Sequence, residues 1–291
     1  MSVRPHCPDD WPDEWPQDWL APDWPAPPGV RAVFTTRACP PGTAPSAGAW
    51  GGFNLGDHVG DRPEAVAANR AALHRVLGAR PVFLRQVHGW HVAALEAGTP
   101  DGVEADAAFT TCRRVACTIM VADCLPVLLA DAQGRAVAAA HAGWRGLAGA
   151  AAGQGVLEQL FQHFRGLRQK GQANSAINIE ANVEANEIVA WLGPCIGPTA
   201  FEVGPEVHAA FVAPDAGAAA CFTPVGGGKY LANLPALARR RLAALGIRQV
   251  FGNNGSARWC TVTQAGRFHS YRRDQRALGA SGRMAACVWL D

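Results

Sequence analysis

Val115-Ala-Cys-Thr-Ile-Met-Val-Ala-Asp-Cys-Leu-Pro-Val-Leu-Leu-Ala-Asp-Ala-Gln-Gly-Arg-Ala-Val-Ala-Ala-Ala-His-Ala-Gly-Trp-Arg-Gly146 is the stretch that decides the fold. It holds three apolar runs, over 115–121, 126–130 and 136–140, each of strand length and each ended by turn residues. Asp123, Asp131 and Arg135 cut the stretch well short of the ~20 apolar residues a membrane span needs. Cys124 sits in the first break, and His141 ends the third run.

Working outward, residues 30–35 read as a first strand. Residues 61–77 read as a helix, with Asp61 as N-cap and Pro63 just inside it. Strands are expected over 82–88, 90–95 and 107–110. Downstream come a helix over 148–164, a strand over 188–192 and a short helix within 201–211. A further helix over 234–245 is stopped by Gly246. Strands near Val250, over 260–263 and over 284–290 close the chain. Strands and helices mix without a strict βαβ rhythm, which gives an α/β (α+β) single domain with a mixed β-sheet core flanked by helices. Residues 1–29, with Trp11, Trp15, Trp19 and Trp24 among prolines and acids, read as an extended arm whose tryptophans dock on the body. Residues 30–291 then form the catalytic domain, and 168–186 a surface insertion.

A chain of 291 residues, 49% of them hydrophobic, has enough apolar surface for a sizeable core. A net charge of +2 gives no footprint for nucleic acid. The nine cysteines are odd in number, irregularly spaced and without a CxxC pair, which fits a reducing compartment. The first residues contain no apolar signal core. The expectation is a cytoplasmic protein without membrane contact, with a monomer favoured.

His88, Cys124 and His141 each end an apolar run. If those ends converge, two imidazoles and a thiolate suit a zinc ion, with the fourth position open as a catalytic site requires. His91 is set aside, because residues three apart on an extended segment face opposite ways. A nucleophilic reading stands beside the metal one: Cys124 with His141 as base makes a dyad. Both need a thiolate, so the residues alone leave the choice open. Gly143 and Gly146 let backbone approach a ligand closely. A helix starting near Leu147, together with Arg145, would hold an anion such as phosphate. Asp123 and Asp106 are candidates for general base or for partner to an imidazole. Gly226-Gly-Gly-Lys-Tyr is no P-loop, since Thr223 stands at the first Gly position and Tyr230 replaces Ser or Thr.

Seven strings together carry a resemblance: Phe34-Thr-Thr-Arg, Asn54-Leu-Gly-Asp-His-Val-Gly-Asp, Arg85-Gln-Val-His, Ala122-Asp-Cys-Leu-Pro-Val, His141-Ala-Gly-Trp-Arg-Gly, Gly193-Pro-Cys-Ile-Gly and Ser270-Tyr-Arg-Arg-Asp. In order, and from about residue 30 to the C-terminus, they resemble the YfiH family, also described as laccase-domain, polyphenol oxidase-like or peptidoglycan editing factor proteins. The resemblance implies a CNF/YfiH-like, cysteine-hydrolase-like fold. It puts the family's metal ligands on His88, Cys124 and His141, with Zn2+ the implied cofactor and copper the other candidate.

The implied activity is phosphorolysis of adenosine, inosine, guanosine and methylthioadenosine, with deamination of adenosine to inosine. Purine nucleoside and phosphate are then the partners. Cys124, His141, Asp123 and Arg145 would be catalytic, and Arg145, Gly143, Asn54 and His58 would meet substrate. For deamination, zinc would lower the pKa of water for attack at adenine C6, with Asp123 carrying the proton. The rival activities are a cysteine hydrolase or amidase acting on peptidoglycan precursors, and a single-copper polyphenol oxidoreductase. After Thr-Thr-Arg this chain has Ala38-Cys-Pro-Pro-Gly where the family has Gly-Gly-Val-Ser, a departure in that loop. A four-copper oxidase is excluded, because it needs paired His-x-His motifs and none of the nine histidines forms one.

Overall fold

The computed structural model describes residues 15–150, 154–165 and 185–291. Its strands are β1 (Val30–Phe34), β2 (Arg80–Phe83), β3 (Val92–Ala94), β4 (Ala107–Thr110), β5 (Val115–Val121), β6 (Leu125–Asp131), β7 (Val137–Ala142), β8 (Ile188–Leu192), β9 (Glu202–Val203), β10 (Phe222–Gly226), β11 (Lys229–Ala232), β12 (Gln249–Gly252) and β13 (Met284–Leu290). The helices are α1 (Pro63–Leu77), α2 (Trp144–Ala148), α3 (Val156–Arg165), α4 (Pro205–Val212), α5 (Leu234–Ala244) and α6 (Tyr271–Leu278). One sheet runs β1-β13-β5-β2, a second β12-β8-β6-β7-β4-β3, and a small third β10-β11-β9. Both large sheets are mixed, with parallel pairs β2–β5, β12–β8 and β3–β4.

The apolar runs of the central stretch become β5, β6 and β7, each buried along its whole length. Strands covered on both faces need no polar alternation, which is why these read as continuous runs. Cys117, Ile119 and Val121 meet Leu128, Ala130, Val137 and Ala139 in the layer between the two large sheets. Ala116 and Met120 face the other way, onto Leu73 and Val76 of α1 and onto Trp19. Val127, Leu129, Ala138 and Ala140 face outward to Leu160, Phe164, Leu237 and Leu242 of α3 and α5. The layers are thus helix, sheet, sheet, helices, and the molecule is one mixed α/β domain. His141, opposite Pro126 in the ladder, continues the alternation of Val137 and Ala139 toward the inter-sheet layer. Between β5 and β6 the chain leaves one sheet for the other at Ala122-Asp-Cys, with Asp123 at φ 88.

Several boundaries differ from the sequence reading. The strand expected over 82–88 stops at Phe83, because the Gln86 side chain replaces backbone pairing on β5. Its Nε2 donates to the Met120 carbonyl (2.8 Å) and its Oε1 accepts from the Met120 N–H (2.7 Å). The helix expected over 148–164 is two helices, α2 and α3. They part at Gly149 (φ 77), where a β-carbon would fall 2.6 Å from the backbone of Gln154. Arg62 rather than Asp61 is the N-cap of α1; Asp61 accepts from the Arg62 N–H (2.8 Å) and from the Asn54 amide (2.9 Å). Residues 260–263 form a turn, tied to Cys195 by a single bridge at Cys260. Trp19 is buried, donates from Nε1 to the Ala38 carbonyl (2.9 Å) and packs on Phe53. Trp11 and most of the insertion expected over 168–186 lie outside the described residues. No described helix is long and apolar enough to cross a membrane.

Candidate metal centre and its cavity

Asp106, fully buried where the chain enters β4, organises the centre. Its Oδ1 lies 2.8 Å from His141 Nδ1. A proton on Nδ1 leaves the Nε2 lone pair for a ligand. The same carboxylate accepts the backbone N–H groups of Val87 (3.1 Å), His88 (2.9 Å) and Gly89 (2.7 Å). Three consecutive amides on one acid hold His88 at φ 61, a left-handed conformation rarely adopted by residues with a side chain. Burial pushes the Asp106 carboxyl up, but the His141 bond and charge and the amide donors outweigh it and hold it below the usual carboxylate range. One acid therefore positions both imidazoles, whose ring centres lie 4.7 Å apart.

Cys124 completes the group: the donor atoms of His88, Cys124 and His141 all lie within 4.8 Å of one another. Burial pushes the Cys124 thiol up, yet the His141 charge and hydrogen bonds from both imidazoles bring it down to about 6. Burial pushes His141 down, while the Cys124 thiolate and Asp106 raise it to about 9. The chemistry of this donor set, one thiolate and two imidazoles with no fourth protein ligand among the described residues, fits zinc or copper. His91 is exposed and outside the group. The alternation argument for setting it aside fails, however, because the segment around His88 is not a strand.

Gly143 is where this centre admits no side chain. A β-carbon there would lie 2.9 Å from Cys124 Sγ and 3.3 Å from the His88 ring. Gly146 likewise makes room for the Gly89 carbonyl, 2.5 Å from where its β-carbon would be. These glycines admit protein atoms rather than a ligand. Helix α2 starts at Trp144, not near Leu147, and its five residues are too few for the anion binding expected of it.

The three ligands open on a cavity of about 540 Å3. Trp144, Phe201 and Tyr271 give it aromatic walls, and His58, Arg145, Arg272 and Arg283 give it basic ones. Asp123 lines it too, with Oδ1 accepting from the Thr261 hydroxyl (2.5 Å) and Oδ2 from the Arg272 N–H (2.6 Å). Arg145 is exposed and stacks on Trp144 at 4.6 Å. Asn54 does not line the cavity. It is fully buried, and its Oδ1 accepts from the backbone N–H of Arg283 (2.8 Å) and Gly56 (3.0 Å), so it supports the wall from behind. Gln86, Tyr271, Arg272 and Arg283 are lining residues the sequence reading missed. Tyr271 and Arg272 lie inside a string the resemblance had singled out, and Gln86 lies two residues before His88. Arg283 ends Ser281-Gly-Arg, which matches the family's Thr-Gly-Arg apart from the Ser, but it was given no role.

A family model described as Multi-copper polyphenol oxidoreductase laccase matches residues 31–291. The chain is similar to Purine nucleoside phosphorylase PA4543 of Pseudomonas aeruginosa, 45% identical over 94% of this chain and 98% of that protein. It is also similar to Purine nucleoside phosphorylase YfiH of Escherichia coli K12, 43% identical over 93% of this chain and 98% of the relative. Among solved structures it is similar to Neisseria meningitidis protein NMB0706, with a TM-score of 0.78 and 44% identity over 94% of this chain and 99% of that one. YlmD from Geobacillus stearothermophilus matches with a TM-score of 0.75 and 26% identity, over 94% of this chain and 96% of that one.

Proposed function

The chain belongs to the multi-copper polyphenol oxidoreductase laccase family, which YfiH shares, and from that premise we propose that it is a zinc-dependent purine nucleoside phosphorylase with adenosine deaminase activity. The observation that carries this reading is the convergence of a thiolate and two imidazoles on a cavity with aromatic and basic walls, of a size to take a nucleoside and an anion. His88, Cys124 and His141 hold the ion, which supplies Lewis acidity and lowers the pKa of water when bound. The N2S donor set favours zinc, and copper competes for it. A single three-donor group among the described residues supports one-ion chemistry rather than a multicopper cluster.

The remaining roles fall to the chain's own residues. Trp144, Phe201 and Tyr271 offer planar faces on which a purine stacks. In phosphorolysis a phosphate oxygen attacks the anomeric carbon as the glycosidic C–N bond breaks, and Arg145 offsets the phosphate's charge. His58 meets the substrate from the other wall. In deamination Asp123, steadied by Thr261 and Arg272, accepts the proton of the attacking water. Small soluble substrates and the unpaired thiols of the described cysteines agree with a cytoplasmic enzyme.

One observation favours a second reading. Asp106 orients His141, and His141 adjoins a lowered-pKa Cys124, an arrangement that also suits a cysteine hydrolase or amidase. Metal analysis of the purified protein, with adenosine and phosphate as substrates and chromatography of products, tests both. Zinc in the protein, with adenine and inosine as products, is expected, and His88→Ala loses both activities. Wild-type rates in His88→Ala overturn the assignment. Activity abolished by thiol alkylation but indifferent to chelation selects the hydrolase.

A further inference from the structure

Arg283 stands in the cavity wall and makes no salt bridge with any of the described residues. Its stem crosses Gly56, where a β-carbon would lie 2.7 Å from Cγ, and its guanidinium lies 5.9 Å from the Tyr271 ring. Nη1 donates to the carbonyls of Ser281 (2.9 Å) and Gly282 (3.0 Å), and the backbone N–H is held by Asn54. These contacts fix the guanidinium plane and leave Nε and Nη2 with no acceptor among the described residues. Asp123 is within electrostatic reach, but both its oxygens already accept from Thr261 and Arg272. Burial holds the guanidinium below its ordinary pKa, with the Cys124 and Asp123 charges only partly opposing. The guanidinium is thus partly buried, held in place by Gly56, Tyr271 and the Ser281 and Gly282 carbonyls, and turns a fixed positive charge toward the cavity.

The other cations of the cavity are differently placed. Arg145 is exposed against Trp144. The Arg272 guanidinium donates to the carbonyls of Ala200 (3.4 Å) and Glu202 (3.1 Å). His58 is within electrostatic reach of Arg283; burial first, and then the Arg283 charge, push its imidazole below the ordinary value, against the Asp57 carboxylate 3.4 Å from its Nδ1. An imidazole beside a fixed guanidinium whose Nε and Nη2 are free makes a cradle suited to a tetrahedral oxyanion.

We propose that Arg283, assisted by His58, forms the principal phosphate-binding subsite of the cavity. The role in phosphorolysis rests on the function proposed above, whereas anion binding itself is measurable without turnover. The fork suits free orthophosphate and the phosphoryl group of a nucleotide alike, so both are probes.

The test measures orthophosphate binding to the purified full-length protein by calorimetry, and the KM for phosphate by turnover. Arg283→Gln is expected to weaken orthophosphate binding and raise its KM at least tenfold, with the nucleoside KM changed less than threefold. Arg276→Gln, exposed on α6 outside the cavity, stays within twofold of wild type. Unchanged phosphate affinity in Arg283→Gln, or an equal loss in Arg276→Gln, overturns the proposal. Should the Gln variant melt below the assay temperature, Arg283→Lys decides: it keeps the stem and charge but not the fork, and a loss of at least threefold is expected. Adenosine monophosphate run beside adenosine separates the sources, because an Arg283-dependent gain for the nucleotide, without orthophosphate binding, assigns the phosphoryl group. Arg283-dependent phosphate binding without phosphorolysis leaves the subsite standing and retires the phosphorylase. Phosphorolysis insensitive to Arg283 does the reverse.

Discussion

Asp106 concentrates in one carboxylate what two metal ligands need. It fixes the tautomer of His141 and clamps the left-handed backbone that aims His88. Asp106→Asn keeps the shape but replaces one acceptor oxygen with an NH2 that faces donors, so the clamp and the imidazole orientation both weaken. We expect metal affinity to fall 10–100-fold, read by competition with a chromophoric chelator. Wild-type affinity in that variant would sink the positioning role. The sequence named Asp106 as a possible imidazole partner, but its grip on residues 87–89 was not legible. Side-chain bonds to backbone 17 to 19 residues away leave no periodic trace. The three ligands were readable because each stands at the edge of an apolar run. Of the cavity's arginines Arg145 was singled out, but Arg272 and Arg283 were not, because a lining Arg and a solvated Arg look alike in a sequence.

At the scale of elements, legibility follows apolar content. β5, β6, β7, β8 and β13, buried throughout, stand out as runs. Helix α6 went unseen because Asp274 is its only buried residue. Its signal was polar: Ser270 accepts from the Arg273 N–H (3.2 Å) while Asp274 accepts from the Ser270 N–H (3.0 Å), a reciprocal cap. The β10–β11 hairpin was hidden behind Gly226, Gly227 and Gly228, all at positive φ, which the sequence reading weighed only as a phosphate loop. The end of β2 illustrates the limit from the other side, since Gln86 imitates a strand with its amide. Gln86→Leu leaves the Met120 N–H and carbonyl without those partners, which should cost roughly 1–3 kcal/mol. Urea unfolding measures it, and an unchanged midpoint would show that β5 does not depend on the substitute pairing.

Across the whole molecule, stability depends on a group remote from the metal ligands. His269 is fully buried, and neither ring nitrogen has a hydrogen-bond partner among the described residues. Burial pushes its imidazole down to about 3, with Arg37, Arg283 and Arg273 adding to the effect and Asp274 opposing it. The unfolded chain takes up that proton near pH 6.5, and the folded chain does not until about pH 3. Stability is therefore complete above pH 6.5 and falls as the pH drops through that window, by on the order of 3–5 kcal/mol. His269→Phe removes this share of the acid loss while the carboxylates keep theirs. Thermal melts of both proteins from pH 7 to 4 should diverge, and parallel curves would count against the assignment. The layered architecture also has a bearing on the ligands. His88 follows β2, the edge strand of one sheet, His141 belongs to the other, and Cys124 lies on the span that joins them. Neither sheet owns the centre, so an ion seated there is a rivet through both, stabilising only the docked arrangement. Parting the sheets would release it, which makes metal content a gauge of whether the two halves of the molecule are seated.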